Sequence, residues 1–153
     1  MSAERYSIDT NILVYAVDRR EGDKHLRALD ILERSVERDC VLTTQSLAEF
    51  ITAATRRRML SKADAIAQAR GWMRLFPVVS GGATALDTAL TAFAAGRFGL
   101  WDAMLLATAY EAGCAIVLSE DMGDGATLER IKVRNPLKGG ALPEDLRPLL
   151  GMP

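Results

Sequence analysis

Apolar and polar positions alternate in blocks along the chain. A short β-prone segment, Arg5 to Ile8, runs into polar Asp9-Thr10-Asn11 and then into apolar Ile12 to Val17, which predicts a strand, a turn and a short helix. Asp9 then stands at the carboxyl end of a strand. Between Lys24 and Arg38 the residues Leu26, Leu29, Leu32 and Val36 recur at helical spacing, and Cys40-Val41-Leu42-Thr43 reads as a wholly buried strand. A helix predicted over 45–58 turns Leu47, Phe50, Ile51 and Ala54 to the core and leaves Glu49 off that stripe, near the helix start. Ser61-Lys62-Ala63-Asp64 matches a capping box and opens a helix that reaches Leu75.

The same alternation continues in the second half. Phe76 to Val79 is β-prone, Gly81-Gly82 breaks it, and Leu86, Leu90, Phe93 and Ala94 restart the helical period. After Gly99-Leu100, the small-residue-rich segment Trp101 to Ala112 predicts a helix that Gly113 can end, with Asp102 in its first turn. Cys114 to Leu118 is a continuous apolar run followed by Ser119-Glu120-Asp121, and Gly123 and Gly125 then mark a loop. Short apolar strands alternating with helices predict an α/β fold, a central parallel sheet with helices on both faces and ligand chemistry beyond the carboxyl ends of the strands. One domain over residues 1–135 is expected, followed by an irregular tail over 136–153 that is rich in Gly, Pro and Leu.

Composition narrows the function. At 153 residues, with 49% hydrophobic and 25% charged residues, the chain has the balance of one globular domain. Its apolar runs fall well short of the roughly 20 residues a membrane span needs, and Met1 to Arg5 lacks the basic start of a signal peptide, so no membrane association and a cytoplasmic location are expected. The net charge of −1 gives no bulk attraction for nucleic acid, so any polyanion must be held locally. Cys40 and Cys114 read as buried strand thiols. The single histidine, His25, excludes a zinc site built of histidines, argues against a Ser/His/Asp triad and is expected at the surface.

The layout brings Asp9, Asp102 and Asp121 toward one edge, and Glu49 joins them if the second strand runs parallel to the first. Four neighbouring carboxylates repel one another and ordinarily need a cation. With oxygen donors alone, that cation is a hard one, Mg²⁺ or Mn²⁺, able to acidify a water for attack on a phosphodiester. Each residue also has an ordinary use. Asp9 and Asn11 suit a helix cap, Asp102 suits a helix first turn, Glu49 suits a solvated helix face, and Glu120, Asp121 and Asp124 suit an acidic loop.

Tyr6-Ser7-Ile8-Asp9-Thr10-Asn11-Ile12-Leu13-Val14-Tyr15-Ala16, Leu47-Ala48-Glu49-Phe50, Leu100-Trp101-Asp102-Ala103-Met104-Leu105-Leu106-Ala107-Thr108-Ala109 and Leu118-Ser119-Glu120-Asp121-Met122 resemble the four motifs of PIN-domain proteins, in family order. The compact single-domain form is similar to VapC-type toxins of bacterial toxin–antitoxin pairs, which are ribonucleases. The resemblance implies that Asp9, Glu49, Asp102 and Asp121 hold Mg²⁺ or Mn²⁺ and carry out RNA cleavage. It further implies that Asn11 orients the first aspartate, and that a small antitoxin wraps the chain and obstructs the acidic site. Asp124 is a further supporting candidate. A homodimer is the expected assembly.

Other features stay open at this level. Arg56-Arg57-Arg58 suits either phosphate contact or a solvated helix end, and Arg130, Lys132 and Arg134 suit either RNA binding or a guarded sheet edge. Trp101 reads as a packing residue at the helix entrance rather than a base-stacking platform. A phosphatase of the haloacid-dehalogenase type would want a carboxylic acid where Asn11 stands. A PIN fold kept only as a binding module remains the other alternative.

Overall fold

The computed structural model describes residues 4–153; Met1 to Ala3, part of the amino-terminal stretch expected to lack a signal peptide, lie outside the described residues. Six strands form one sheet in the order β3-β2-β1-β4-β6-β5, comprising β1 (Tyr6–Ile8), β2 (Cys40–Thr43), β3 (Val78–Val79), β4 (Ile116–Leu118), β5 (Thr127–Leu128) and β6 (Ile131–Arg134). All pairings are parallel except β5 with β6, an antiparallel edge hairpin. The alternation of Arg130, Lys132 and Arg134 marks β6 in the sequence, whereas the loop expected at Gly123 and Gly125 gives no sign of β5, because a two-residue strand carries no periodic signal.

Six helices, α1 (Thr10–Val17), α2 (Asp23–Ser35), α3 (Thr44–Arg56), α4 (Lys62–Leu75), α5 (Ala83–Ala94) and α6 (Leu100–Glu111), cover the two faces. Alternation along the strands divides the core accordingly. Tyr6, Ile8, Cys40, Leu42 and Leu118 face α1 to α4, whereas Val41, Val117 and Val133 face α5 and α6. On the first face Phe50 of α3 meets Trp72 of α4 edge to face, with ring centroids 4.7 Å apart. Both cysteines are buried and free.

Two helices bury a different stripe from the one their bulkiest residues suggest. In α5 the inward positions are Ala85, Ala89 and Ala92, while Leu86, Leu90 and Phe93, expected in the core, are nearly half exposed. The two stripes lie one residue apart, a rotation of about 100°. Contact with the alanine-rich face of α6 selects the small one. In α2 the buried set is Ala28, Ile31, Leu32 and Ser35, leaving Leu26 and Val36 outside. His25 is half-buried rather than on the surface, its Nδ1 donating to the Tyr15 carbonyl at 2.8 Å.

The segment after Pro136 has little regular structure yet completes the core instead of hanging from it. Leu137, Leu146, Leu149 and Leu150 are buried in the α1 to α4 cluster. Arg27 on α2 pins the segment by donating to the carbonyls of Pro136, Leu137 and Gly139. On the other face, Gly81 lets the link from β3 to α5 lie directly on α6. A Cβ at this position would stand 2.3 Å from Thr108 Oγ1 and 2.8 Å from Met104 Cε.

Candidate metal centre

Because β1, β2 and β4 are parallel, everything that follows them emerges at one edge of the sheet. Asp9 follows β1, Glu49 lies in the second turn of α3 directly after β2, and Asp121 comes three residues beyond the end of β4. Asp102 enters from the first turn of α6. The four carboxylates line one cleft of about 300 Å³ together with Asn11, Tyr15 and Arg57. Among the described residues none of the four makes an ion pair, and no three acidic side chains are already gathered at ligand distance. An all-oxygen donor set in which no carboxylate is ion-paired fits a hard divalent ion whose remaining sites are filled by water.

The cleft is held by hydrogen bonds. Asp9 caps α1 by accepting from the Thr10 N–H at 2.7 Å, and its other oxygen accepts from Ser119 Oγ at 2.8 Å and Asn11 Nδ2 at 3.2 Å. One carboxylate thus both caps α1 and lines the cleft. Asn11 Nδ2 also lies 3.1 Å from Asp121 Oδ2, and Asn11 Oδ1 accepts from the Glu120 N–H, so this amide ties the first aspartate to the loop after β4. An amide engaged as donor to two carboxylates supplies no acidic proton, which removes the phosphatase chemistry. Glu49 receives Gln45 Nε2 on one oxygen at 2.9 Å and Thr10 Oγ1 on the other at 3.4 Å.

Burial drives the electrostatics. Asp9 is nearly inaccessible, and desolvation, reinforced by Asp102 and Glu49 against the hydrogen bonds from Ser119 and Thr10, raises its pKa to about 6. Asp102 is also raised, first by burial and then by Glu49 and Asp121. The neighbouring acids behave in the opposite way. Burial alone would raise Glu120, but Tyr15 and Lys24, whose Nζ is 2.9 Å away, hold it below its ordinary value. Asp124, grouped with the site by its sequence position, accepts from the Asn135 N–H and pairs with Arg134 and Lys138, and it does not line the cleft. Arg134 also pairs with Asp145, which assigns it to anchoring the tail. Lys132 and Arg130 remain exposed.

The arginine run divides. Arg57 lines the acidic cleft, Arg56 lines a separate groove beyond Glu49, and Arg58 is exposed with a φ of 54°. Trp101 is corrected outright, since it is 67% exposed rather than packed. Gly99 stands at the N-cap of α6, where it offers no side chain to cover the first turn. Ser119 and Gln45 carry no role that the sequence alone assigns. Only the hydroxyl of Ser119, fully buried right after an apolar strand, hints at one.

The raised Asp9 pKa yields a prediction for the metal-free protein. A carboxyl that ionises at about 6 when folded but near 3.8 when unfolded stabilises the fold most below the lower value, and that contribution is lost as pH rises through the upper one. Denaturant titrations in chelator should therefore show stability falling between about pH 4 and pH 6 by on the order of 1–3 kcal/mol. Asp9→Asn should flatten that fall. An undiminished fall in the variant would remove Asp9 as its source.

A family model, PIN domain, matches residues 6–123. No curated protein matches the sequence. Among solved structures, the chain is similar to VapC20 of Mycobacterium tuberculosis, a sarcin-ricin loop cleaving toxin, at 16% identity and TM-score 0.63 over 83% of this chain and 98% of that one. It is similar to DNA-bound VapBC from Salmonella typhimurium at 16% identity and TM-score 0.62, covering 86% of this chain and 98% of that one. VapBC2 from Rickettsia felis, bound to a promoter DNA fragment, aligns at 12% identity and TM-score 0.61 over 85% of this chain and 97% of that one. At such identities these likenesses carry the fold, whereas the family model spans most of the sequence and includes all four cleft carboxylates: the chain belongs to the PIN domain family.

Proposed function

We propose that this chain is a Mg²⁺- or Mn²⁺-dependent endoribonuclease and the toxin of a type II toxin–antitoxin pair. The observation that carries the reading is the cleft that Asp9, Glu49, Asp102 and Asp121 line together, where none of the four is ion-paired among the described residues and Arg57 is the one cationic side chain in the wall. These four would hold the ion. When bound, it would offset their repulsion, acidify a water and stabilise charge on phosphate oxygens. Asn11 and Ser119 would keep the Asp9 carboxylate oriented, Gln45 and Thr10 would do the same for Glu49, and Arg57 at the rim would meet a phosphate.

The partner proposals rest on the similar VapBC complexes and on the cleft's charge. An antitoxin segment carrying an arginine would be drawn to the carboxylates and obstruct them, and if disordered when free it would order only on binding. The exposed row Leu86, Leu90 and Phe93 on α5 supports a homodimer. A cytoplasmic location, where RNA is met, belongs to the same proposal; among the described residues no helix is long and apolar enough to cross a membrane.

Four outcomes follow. Incubated with total RNA, the protein should cut in Mg²⁺ or Mn²⁺ and not in chelator. Asp9→Asn and Asp102→Asn should each lose more than the roughly 10- to 100-fold that an outer-sphere change such as Asn11→Ala costs. Full activity in Asp9→Asn would sink the assignment. Replacing Arg56, Arg57 and Arg58 by Ala should reduce the slope of log affinity against log salt by about 0.7 for each phosphate the arginines had neutralised, and an unchanged slope would leave them as a helix end. Finally, expression alone should arrest growth, and if a small reading frame beside the gene encodes the proposed antitoxin, its co-expression should restore growth and yield a complex. Unaffected growth with no complex would overturn the toxin reading.

A further inference from the structure

Beside the acidic cleft lies a larger cavity of about 860 Å³ between α3 and α6, within the ~300–1,000 Å³ range of ligand sites. The two share Thr10, Glu49 and Ala53 in their walls, so a strand leaving one enters the other. Ala48, Met104 and the exposed ring of Trp101 give this groove an apolar lining, and the hydroxyls of Thr52 and Thr108 supply uncharged hydrogen-bonding groups. Its charged lining residues are Glu49, on the wall shared with the cleft, and Arg56, which makes no ion pair among the described residues.

Trp101 is costly to leave in water. A large aromatic that is 67% exposed gives up most of the burial it would gain in a core, although the residue beside it, Asp102, lies in the acidic cleft. Its backbone is fixed, because the Trp101 carbonyl accepts from Gln45 Nε2 at 2.8 Å, the same nitrogen that donates to Glu49. One side-chain amide therefore couples the aromatic's position to that of a cleft carboxylate.

We propose that this groove is a nucleobase subsite: Trp101 stacks an unpaired base of the RNA whose phosphodiester lies in the acidic cleft, and Arg56 takes a neighbouring phosphate. The proposal rests on the nuclease reading above. Stacking on an exposed aromatic with a cation nearby is how single strands are held, because every base presents a π-face and duplexes hide theirs. With the Thr52 hydroxyl proton given to the Ala48 carbonyl and Gln45 Nε2 given to Glu49 and Trp101, the Thr52 oxygen and Gln45 Oε1 would act as acceptors and favour base edges that donate. A base in this groove would fix which bond reaches the carboxylates, making Trp101 a specificity-determining residue.

The test uses short single-stranded oligoribonucleotides in chelator, where no cutting occurs, with abasic sites placed in turn at each position within three nucleotides of the mapped cleavage bond. The wild type should lose roughly 5- to 150-fold in affinity at one position, and Trp101→Ala should lose as much on the intact strand but nothing further on that abasic strand. Trp101→Phe should retain most of the binding. The chain has two tryptophans, and Trp72 is buried, so quenching on binding should report Trp101 and vanish in Trp101→Phe. Equal losses from the abasic site in wild type and Trp101→Ala would overturn the subsite, as would loss of antitoxin binding with RNA binding intact, which would make the groove a peptide site. Mn²⁺-dependent cutting by the wild type, followed in parallel, separates the two readings: cutting without base coupling overturns the subsite alone, and neither cutting nor RNA binding overturns both.

Discussion

Repulsion among carboxylates collected at one edge of a parallel sheet is the constraint around which this molecule is arranged. Burial and the neighbouring negative charges both disfavour ionised carboxylates in this cleft, whereas a carboxylate gains only ~0.3–1 kcal/mol at a helix start. Capping alone therefore does not account for bringing Asp9, Glu49, Asp102 and Asp121 to one cleft. The acids just outside it, Glu120 and Asp124, are paired with Lys24, Arg134 and Lys138, whereas Arg57, the cation that lines the cleft, makes no ion pair with any of the four among the described residues. Unpaired charge is concentrated where chemistry would use it.

The fold supplies that concentration with little machinery. Parallel pairing of β1 with β2 and β4 fixes the edge, and Asn11, Ser119, Gln45 and Thr10 hold individual oxygens there. The packing behind the site is tight. Gly81 brings the β3 to α5 link onto α6, and the alanines of α5 let the two helices approach, which fixes the wall carrying Met104 and Thr108. With a net charge of only −1, the chain offers a polyanion local features instead of a basic field: Arg57 at the cleft and Arg56 at the groove.

Much of this is legible in the sequence because it rests on local signals. Short β-prone runs, Tyr6-Ser7-Ile8 followed at once by Asp9 and the apolar Ile116-Val117-Leu118 followed by Ser119-Glu120-Asp121, announce a parallel sheet and name its carboxyl edge. What escapes depends on contacts between distant segments. Asp124 looks like a site residue until Arg134 and Lys138 claim it, and Leu86, Leu90 and Phe93 look like core until the small face of α6 selects their alanine neighbours. Trp101 misleads for a related reason: hydrophobicity predicts burial on average, and a functional surface is where that average fails. The leucines of the tail carry the right apolar signal without a period to say where they pack.

Titration of the chelator-treated protein with Mn²⁺, read by calorimetry at pH 7, decides whether the four carboxylates form a metal site. Saturable binding at the acidic cleft is expected, raising thermal stability, and Asp9→Asn and Asp102→Asn should each greatly weaken it with the fold preserved. Mn²⁺ binding of equal strength and stoichiometry in the wild type and both variants, or no binding to the wild type, would contradict that assignment.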